Sequence, residues 1–490
     1  MRGNMEPGIR NLEQQDAGLL PAWGVAALPE PPPFNIRNAL KTVGPGVIGL
    51  GIAIGSGEWL IGPSVVLRYG AALLWITSVS VFLQVILNQE MGRYTLYTGE
   101  PITTGFMRTR PGPTFWGWVY GVLGFAQYGW PGWALASATA TGALILGRMP
   151  GAGDSGLVIL IGYITFAACF LITLSGRKVE RTVEWAMWIM VGGIILYLLY
   201  VDLFFVSGEN WGRVLGGFGS LGTIPSGADF VLLGAFAAYS GSGGIGNAYT
   251  TNWMRDKGFG MGATVGYIPT MLGDKVRLSA HGNVFEPTEA SMRTWRAWWK
   301  YMHLDQWAIF GFGSLLGMAL TILFTLQFVP EGTVAGEWAV ANMQAEGIAR
   351  VHGRVFWYLT VLAGLWILFS TQLGIVDGLP RSTTDMLWSA SPAMRRWAGD
   401  DCRKAFYTVL LVFAVWGCIG LNLARPLTLI IIGANAAAFI FVIESIHTLV
   451  VNRRFLPRQL RPPLWREACL VFCSIFYGSF LAVALYRAIV

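Results

Sequence analysis

A single acidic residue, Glu58, interrupts one of the most apolar segments of the chain, IAIGSGEWLIGP at residues 52–63. An acidic side chain within a membrane-spanning segment is costly to bury, and it marks a functional site by default. Gly55, Ser56 and Gly57 precede it, and each glycine costs about 1 kcal/mol in a helix relative to alanine. We therefore predict that the helix unwinds here and that these four residues contribute to a substrate site.

A second interruption lies in LLGAFAAYSGSGGIGNAYTTNW, where glycine and serine residues again separate two apolar flanks. Two matched interruptions are what a pair of inverted five-helix repeats predicts, with the substrate held between the broken helices near the middle of the membrane. The predicted substrate site therefore also includes Ala238, Tyr239, Ser240, Gly241 and Ser242.

Both interruptions also have a structural interpretation. Glycine and serine in membrane helices permit close packing between helices without forming a site. Glu58 together with Ser56 can cap the free N–H groups of the second half-helix, whose positive dipole end favours a carboxylate. Binding and capping are compatible, so both roles are kept for Glu58.

The composition indicates the class of protein that contains these interruptions. Of the 490 residues, 54% are hydrophobic and 12% are charged, whereas soluble globular chains carry about 25% charged residues. Apolar runs such as GLVILIGYITFAACFLITLSG reach the roughly 20 residues that a helix needs to cross a bilayer, whereas barrel strands would alternate over about 10. The sequence predicts an all-α integral membrane protein.

We predict eleven spans, near residues 42–69, 71–95, 115–146, 156–176, 180–206, 227–255, 305–328, 353–376, 403–422, 426–449 and 465–488. Residues 42–206 form the first repeat, residues 227–449 the second, and 465–488 an extra helix. The polar, Pro-rich residues 1–36 predict a flexible tail. The Trp- and Arg-rich loop 258–303 predicts a helix in the headgroup layer that anchors the loop or covers a gate.

The distribution of charge predicts the orientation. Most of the 34 Lys and Arg residues fall in the segments on the same side as the N-terminus. The positive-inside rule then places the N-terminus in the cytoplasm and the C-terminus outside, in a multi-pass protein of the cell (plasma) membrane. The net charge of +7 follows from this topology, so no nucleic-acid partner is predicted.

The remaining reactive residue types form no recognisable constellation. The five cysteines make no C-x2-C pair, and the four histidines are scattered with no H-E-x-x-H motif. We predict no enzymatic activity and no cofactor. The expected partners are the lipid bilayer and a small cation or solute; the oligomeric state is left open, and a monomer is sufficient.

Several motifs resemble the Nramp (natural resistance-associated macrophage protein) metal transporters over roughly residues 40–460. They are GPGVIGLGIAIGSGEWLIGPSVVLRYGAALLW in the first two spans, VERTVEW entering the fifth, VLGGFGSLGTIPSGADFVLLGAFA leading into the sixth and FSTQLGIVDGLPRSTTDMLW leaving the eighth. The resemblance implies the LeuT-type fold, a cytoplasmic N-terminus, and proton-coupled uptake of divalent transition metals.

The family's metal ligands are absent from this chain. The family's D-P-G-N motif corresponds to Gly55, Ser56, Gly57 and Glu58, and neither alignment of its M-P-H motif restores a Met or His in the sixth span. Because soft ligands select transition metals, a hard ion such as Mg²⁺ or Mn²⁺ at Glu58 is favoured over a soft-metal site. The alternative cargo is a small amine or amino acid in an aromatic cavity, with five candidate rings: Trp59, Tyr128, Trp130, Trp133 and Tyr239.

Three polar residues of the tenth span are secondary candidates. Asn435 lies near a position where the family keeps a glutamine, and it could contact substrate. Glu444 and His447 share a helix face at i, i+3, so they could relay protons or form a solvated pair. With Glu58, they are the predicted candidates for proton coupling. The resemblance favours a divalent-cation transporter as the first prediction. A transporter of organic solutes and a receptor or scaffold without transport are the two alternatives.

Overall fold

The computed structural model describes residues 16–55, 57–175, 179–269, 278–333, 343–423 and 426–489. Within these ranges the chain is almost wholly helical, and nine helical segments are long and apolar enough to cross a membrane. The predicted all-α membrane class is confirmed, and so are the interruptions of the first and sixth spans.

The helices up to the sixth span are α1 (Ile36–Thr42), α2 (Pro45–Ala53), α3 (Gly62–Tyr69), α4 (Trp75–Thr98), α5 (Ile102–Met107), α6 (Pro113–Tyr128), α7 (Gly132–Leu146), α8 (Ser155–Leu174), α9 (Val179–Phe205) and α10 (Gly208–Gly219). Short turns of 3-10 helix cover Ala71–Leu74 and Ala152–Asp154, and a π-helix covers Gly57–Ile61. The first span therefore consists of α2, a break, the π-helix and α3.

The remaining helices are α11 (Phe230–Tyr239), α12 (Ile245–Lys257), α13 (Glu289–His303), α14 (Phe312–Phe328), α15 (Met343–His352), α16 (Arg354–Ala390), α17 (Pro392–Ala398), α18 (Cys402–Gly420), α19 (Pro426–Phe455) and α20 (Leu464–Ile489). A π-helix, Leu304–Gly311, joins α13 to α14, and 3-10 turns cover Gly260–Thr264 and Arg458–Leu460. The sixth span consists of α11, a break and α12.

The broken helices occupy the centre of the molecule. Helix α2 packs on α9, α12 and α16, while α11 packs on α19 and α20. In the most apolar part of Pro45–Tyr69, 94% of the residues are buried, against 28% for Leu464–Arg487. The first span is therefore enclosed by protein, and the last span lies at the periphery.

The structure corrects the prediction for the third span. The sequence predicts one continuous helix over 115–146, but α6 ends at Tyr128 and α7 begins at Gly132. Pro131 precedes α7 as its N-cap residue. Because proline has no N–H to donate within a helix, it favours a helix start here over a helix interior. The third span is thus also interrupted, and the break brings Tyr128 and Trp133 to the centre.

The structure also corrects the predicted flexible tail: residues 16–36 pack against the helices. Strand β1 (Gly24–Val25) pairs in parallel with β2 (Asn283–Val284). The ring of Trp23 lies 4.2 Å from the guanidinium carbon of Arg108, which also donates hydrogen bonds to the Ala17 and Pro21 carbonyls. Tertiary contacts, which composition does not reveal, hold this segment against the helices. We call it the N-terminal strap, and the face that it covers the strap face.

The loop 258–303 contains a helix, as predicted, at α13, while residues 270–277 lie outside the described ranges. Two of its three tryptophans, Trp295 and Trp298, are buried in the protein, and Trp299 is partly buried. Trp298 Nε1 donates to the Pro29 carbonyl at 2.7 Å, and the Tyr301 hydroxyl donates to Pro32 at 3.1 Å. The aromatic residues of α13 therefore hold the strap.

Candidate substrate site between the broken helices

Hydroxyl groups from neighbouring helices satisfy the carbonyl groups at the end of α2. Ser370 donates to Gly51 O at 2.9 Å, and Thr371 donates to Ile52 O at 3.3 Å. Ser242, in the break of the sixth span, donates to Gly49 O at 3.1 Å. The last carbonyls of a helix have no partner within it, so these hydroxyls stabilise the interruption and join the two broken spans.

Glu58 lies on the other side of the same break. It is fully buried, and its Oε2 accepts a hydrogen bond from the Gly55 N–H at 3.4 Å. Its Oε1 has no hydrogen-bond partner in the part of the chain that the structure describes. The geometry is that of a weak cap with one free acceptor atom. Ser56, the other predicted capping residue, lies outside the described residues.

The break in the sixth span depends on glycine. Gly241, Gly243 and Gly244 have φ values of 137°, 72° and 41°, a region that residues with a side chain rarely adopt. A Cβ atom at Gly243 would also lie 2.6 Å from the Tyr239 ring. The glycine run therefore specifies a sharp interruption in place of a kinked helix.

Two buried glutamines hold the unwound backbone of the sixth span. Gln84 Nε2 donates to Ser240 O at 3.1 Å. Gln127 Oε1 accepts from the Ile245 N–H at 3.0 Å, and its Nε2 donates to Gly243 O at 2.8 Å. An unpaired backbone group in a membrane interior costs several kcal/mol, so these side chains are part of what makes the break stable.

The three breaks meet at a closed cavity of about 10 Å³, the room needed for a single water molecule. Eight buried residues line this central cavity: Ile52, Gly57, Tyr128, Trp133, Tyr239, Gly241, Ser242 and Thr371. The Tyr128 hydroxyl donates to Ser242 O at 2.5 Å, and the Trp133 and Tyr239 rings lie 6.0 Å apart. The Tyr239 hydroxyl and Trp133 Nε1 have no hydrogen-bond partner within the described ranges. Two polar atoms of the lining residues are therefore without a hydrogen-bond partner in the described part of the chain.

The structure brings together part of the predicted site. Gly57, Tyr239, Gly241 and Ser242 line the central cavity. Gly55 packs against Thr371, where an added Cβ would lie 2.0 Å from the hydroxyl oxygen. Ala238 and Glu58 are buried beside the breaks without lining the cavity.

Other predicted residues are held elsewhere. The Ser240 hydroxyl pairs with Thr77 at 3.0 Å, and Asn435 donates to Ile431 O on its own helix at 2.9 Å. Of the five aromatic candidates, Trp59 packs on Phe324 at 6.3 Å. Trp130, in the break itself, donates to Ala126 O of α6. The other three rings line the central cavity.

Ile52, Thr371, Gln84 and Gln127 were not among the site residues predicted from the sequence. Two motifs could have indicated these positions: YGWPG at the third break, and the polar residues of FSTQ within an apolar span. Among the described residues, no three His, Cys, Asp or Glu side chains are grouped to hold a metal ion. The lining of the cavity includes aromatic rings, hydroxyl groups and backbone.

No protein-family model and no curated protein sequence matches the chain. Its structure is similar to that of the Eremococcus coleocola manganese transporter in complex with an aromatic bis-isothiourea substituted compound, with a TM-score of 0.58 and 13% identity over 95% of this chain and 89% of that one. It is also similar to Mhp1, a nucleobase-cation-symport-1 family transporter, in a closed conformation with bromovinylhydantoin bound. That TM-score is 0.51, with 14% identity over 99% and 94% of the two chains. The chain therefore has the all-α, LeuT-type membrane fold.

Proposed function

We propose that this protein is a secondary transporter that carries a small solute by alternating access, with the central cavity as the closed substrate position. The observation that carries this proposal is the meeting of three interrupted spans at one buried cavity with unpaired polar atoms. Broken helices that surround a midplane site are the architecture of secondary transporters. The two neighbouring structures, both of transporters, support the same function.

The lining residues favour a small organic cation, such as an amine, over a bare divalent ion. Three aromatic rings can bind a cationic amine through their faces, and Glu58, which follows lining residue Gly57 in the sequence, has an unpaired carboxyl oxygen. A divalent ion needs six or more oxygen ligands, with carboxylates prominent among them, and no carboxylate lines the cavity. The lining residues therefore favour an amine, whereas the sequence resemblance favours a divalent cation. The cavity must widen for such a cargo, which requires the half-helices to move apart.

The divalent cation remains the second candidate because one observation favours it. A cavity of about 10 Å³ suits a dehydrated ion, and Glu58, the residue after lining residue Gly57, has a buried, unpaired acceptor oxygen. In that case Glu58, unwound carbonyls and retained waters hold the ion.

A ligand screen separates the two cargoes. The purified chain is screened by thermal shift against amines, amino acids, Mn²⁺, Mg²⁺ and Ca²⁺, and each stabilising compound is then tested for uptake in proteoliposomes. We expect an amine to raise the Tm and to move, with both effects lost in Trp133→Leu and retained in the matched control Trp130→Leu. If only divalent ions are taken up, and Glu58→Gln abolishes their uptake, the cargo is the divalent cation. If no compound moves, the transport proposal fails.

The distribution of Lys and Arg residues is the basis for the proposed membrane location and orientation. The strap face carries Arg and Lys residues such as Lys257, Arg395, Arg396 and Arg454, so the positive-inside rule places it in the cytoplasm of a cell whose plasma membrane the protein crosses. Labelling of Cys418, which is exposed, by a membrane-impermeant maleimide in intact cells tests this orientation, because Cys418 lies near the opposite end of α18. Labelling only after permeabilisation would reverse the orientation.

A further inference from the structure

A lone carboxyl group lies outside the substrate site, in the middle of α19. Glu444 is fully buried, and neither of its carboxyl oxygens has a hydrogen-bond partner within the described residues. Capping, ion pairing and metal binding are the usual reasons for a buried acid. None of them applies to Glu444 in the part of the chain that the structure describes.

The surroundings of Glu444 are hydroxyl and thiol groups. Five ionisable side chains lie close enough to interact electrostatically with it: Tyr120 and Tyr128 of α6, Tyr249 of α12, and Cys473 and Tyr477 of α20. On its own helix, His447 lies one turn away. The nearest charged pair on α4, Glu90 with Arg93, contacts Asn452, two turns further along α19. On α11, the Tyr239 hydroxyl lies beside Gly433 of α19. Gly433 is three turns from Glu444, on the side away from Asn452.

These groups connect Glu444 in two directions. Towards the strap face, Tyr120 OH lies 2.8 Å from His447 Nδ1, and the other ring nitrogen of His447 lies 2.8 Å from the Thr109 hydroxyl. Arg110, the next residue, is exposed. Towards the centre, Tyr128, which lies within electrostatic range of Glu444, also lines the central cavity. Glu444 therefore stands between the substrate position and the strap face.

We propose that Glu444 is a proton-binding site that couples proton movement to transport, with His447 and Tyr120 as its connection to the strap face. An isolated carboxylate without partners is poorly tolerated in a membrane interior, whereas the protonated carboxyl group is tolerated. The step is an exchange of one proton: the carboxyl group releases it to water through His447 and becomes a carboxylate, and a proton from water restores it. No redox partner or co-reactant is needed. The coupling role rests on the proposed transport function.

The chain offers a matched control. Asp202 of α9 is also fully buried with both carboxyl oxygens unpartnered within the described residues. It lies near the end of its span that is remote from the strap face, and no histidine lies one turn away from it along α9. Glu58 differs from both, because one of its oxygens caps Gly55.

The experiment uses the full chain in proteoliposomes, with a pH jump as the only probe. Infrared difference spectra report protonated carboxyl groups, and solid-supported-membrane currents report proton movement. We expect Glu444→Gln to lose one carboxyl band and the pH-jump current, whereas Asp202→Asn retains the current. His447→Phe, which retains a ring for the stacking on Phe106 at 4.3 Å, should slow the current and leave the band in place.

Two outcomes would overturn the proposal: a carboxyl spectrum of Glu444→Gln that matches the wild type, or an unchanged current in that variant. Because the pH jump needs no cargo, this failure is distinct from failure of the transport proposal. If a solute moves but the current is insensitive to Glu444→Gln, the proton site is wrong and the transporter stands. If the band and the current depend on Glu444 but no solute moves, the proton site stands and its coupling to transport does not.

Discussion

The two faces of the molecule differ in how deeply their ion pairs are buried, although the strap face also has exposed pairs such as Arg454–Asp16. On the strap face, Arg255, Asp256, Asp377, Arg381 and Asp385 form one network of ion pairs between α12 and α16, and no side chain in it is more than 3% exposed. On the opposite face, the ion pairs Arg68–Asp229, Arg148–Asp154 and Arg213–Glu331 each contain a side chain that is more than half exposed.

This difference has an energetic consequence. Separating a buried pair leaves an uncompensated charge, at a cost of about 3–5 kcal/mol, whereas an exposed pair contributes about 0–1 kcal/mol. In the proposed transport cycle, an opening of the strap face that separates α12 from α16 would disrupt the buried network. We infer that the opposite face opens more readily, and that the strap face opens only when other interactions offset this cost.

The first prediction concerns the buried network itself. Arg381 donates to both Asp256 and Asp377, so Arg381→Met leaves two buried carboxylates short of a partner. We expect a loss of about 3–5 kcal/mol in the free energy of unfolding, measured by SDS-induced unfolding. The control Arg148→Met, which removes an exposed pair, should cost less than about 1 kcal/mol. Equal losses for the two variants would remove the contrast between the faces.

The second prediction compares two caps. Asp305 accepts from the Gly44 N–H at 3.0 Å and the Gly46 N–H at 2.8 Å, and so caps α2 on the strap face. Asp229 caps α11 on the opposite face, accepting from Val231 at 3.0 Å. Replacing a capping residue by alanine costs about 0.5–2 kcal/mol.

Because Asp305 is fully buried and Asp229 is partly exposed, we expect Asp305→Ala to lie at the upper end of this range and Asp229→Ala at the lower end. Hydrogen exchange should accelerate in the peptide around residues 44–48 in the first variant. No acceleration there would show that Asp305 does not hold the start of α2.

The third and smallest prediction concerns the strap. Trp23 contacts Arg108 and packs edge-on against Phe455 at 5.8 Å. Trp23→Ala removes a cation–π contact of about 0.5–2 kcal/mol, which should raise the protease sensitivity of residues 16–36 without unfolding the helices. Trp118→Ala, at a ring that is 72% exposed, is the matched control. Unchanged cleavage in Trp23→Ala would mean that the strap is held by its other contacts.

A further test uses the ion pair beneath the strap. Burial raises the pKa of Glu100, but the charge and hydrogen bonds of Arg108 outweigh it, so the pKa lies below its usual value. A depressed folded-state pKa contributes stability above the unfolded-state pKa that is lost as the pH falls through the folded-state value. We expect strap cleavage to increase on acidification below the usual pKa of glutamate, and this increase to be absent in Glu100→Gln. A pH-independent cleavage rate in the wild type would contradict it.

The sequence predicted those features that depend on local preference. Glycine runs predicted the breaks at residues 55–57 and 240–244, and the aromatic residues Tyr128, Trp133 and Tyr239 were identified as candidate lining residues. Features set by distant contacts were missed. The third break depends on one proline in an apolar run, and Thr371 reaches the site only through the packing of α16 on α2.

The same reason explains the errors at the strap face. The motif DGLPRSTTD reads as the polar end of a span, yet Asp377, Arg381 and Asp385 are buried because their partners come from α12. Residues 16–36 read as a tail because the residues that hold them, Arg108 and Trp298, lie far away in the chain.

In the proposed transport cycle, the cavity between the breaks opens to each face in turn. Ser242→Cys places a thiol at a cavity-lining position, and labelling by a membrane-impermeant maleimide from one face at a time, with peptide mass spectrometry, reads its accessibility. Ala238→Cys, buried without lining the cavity, is the control. We predict labelling of the thiol at position 242 from both faces, faster from the face opposite the strap, and none at position 238. Labelling from only one face, or from neither, would contradict alternating access.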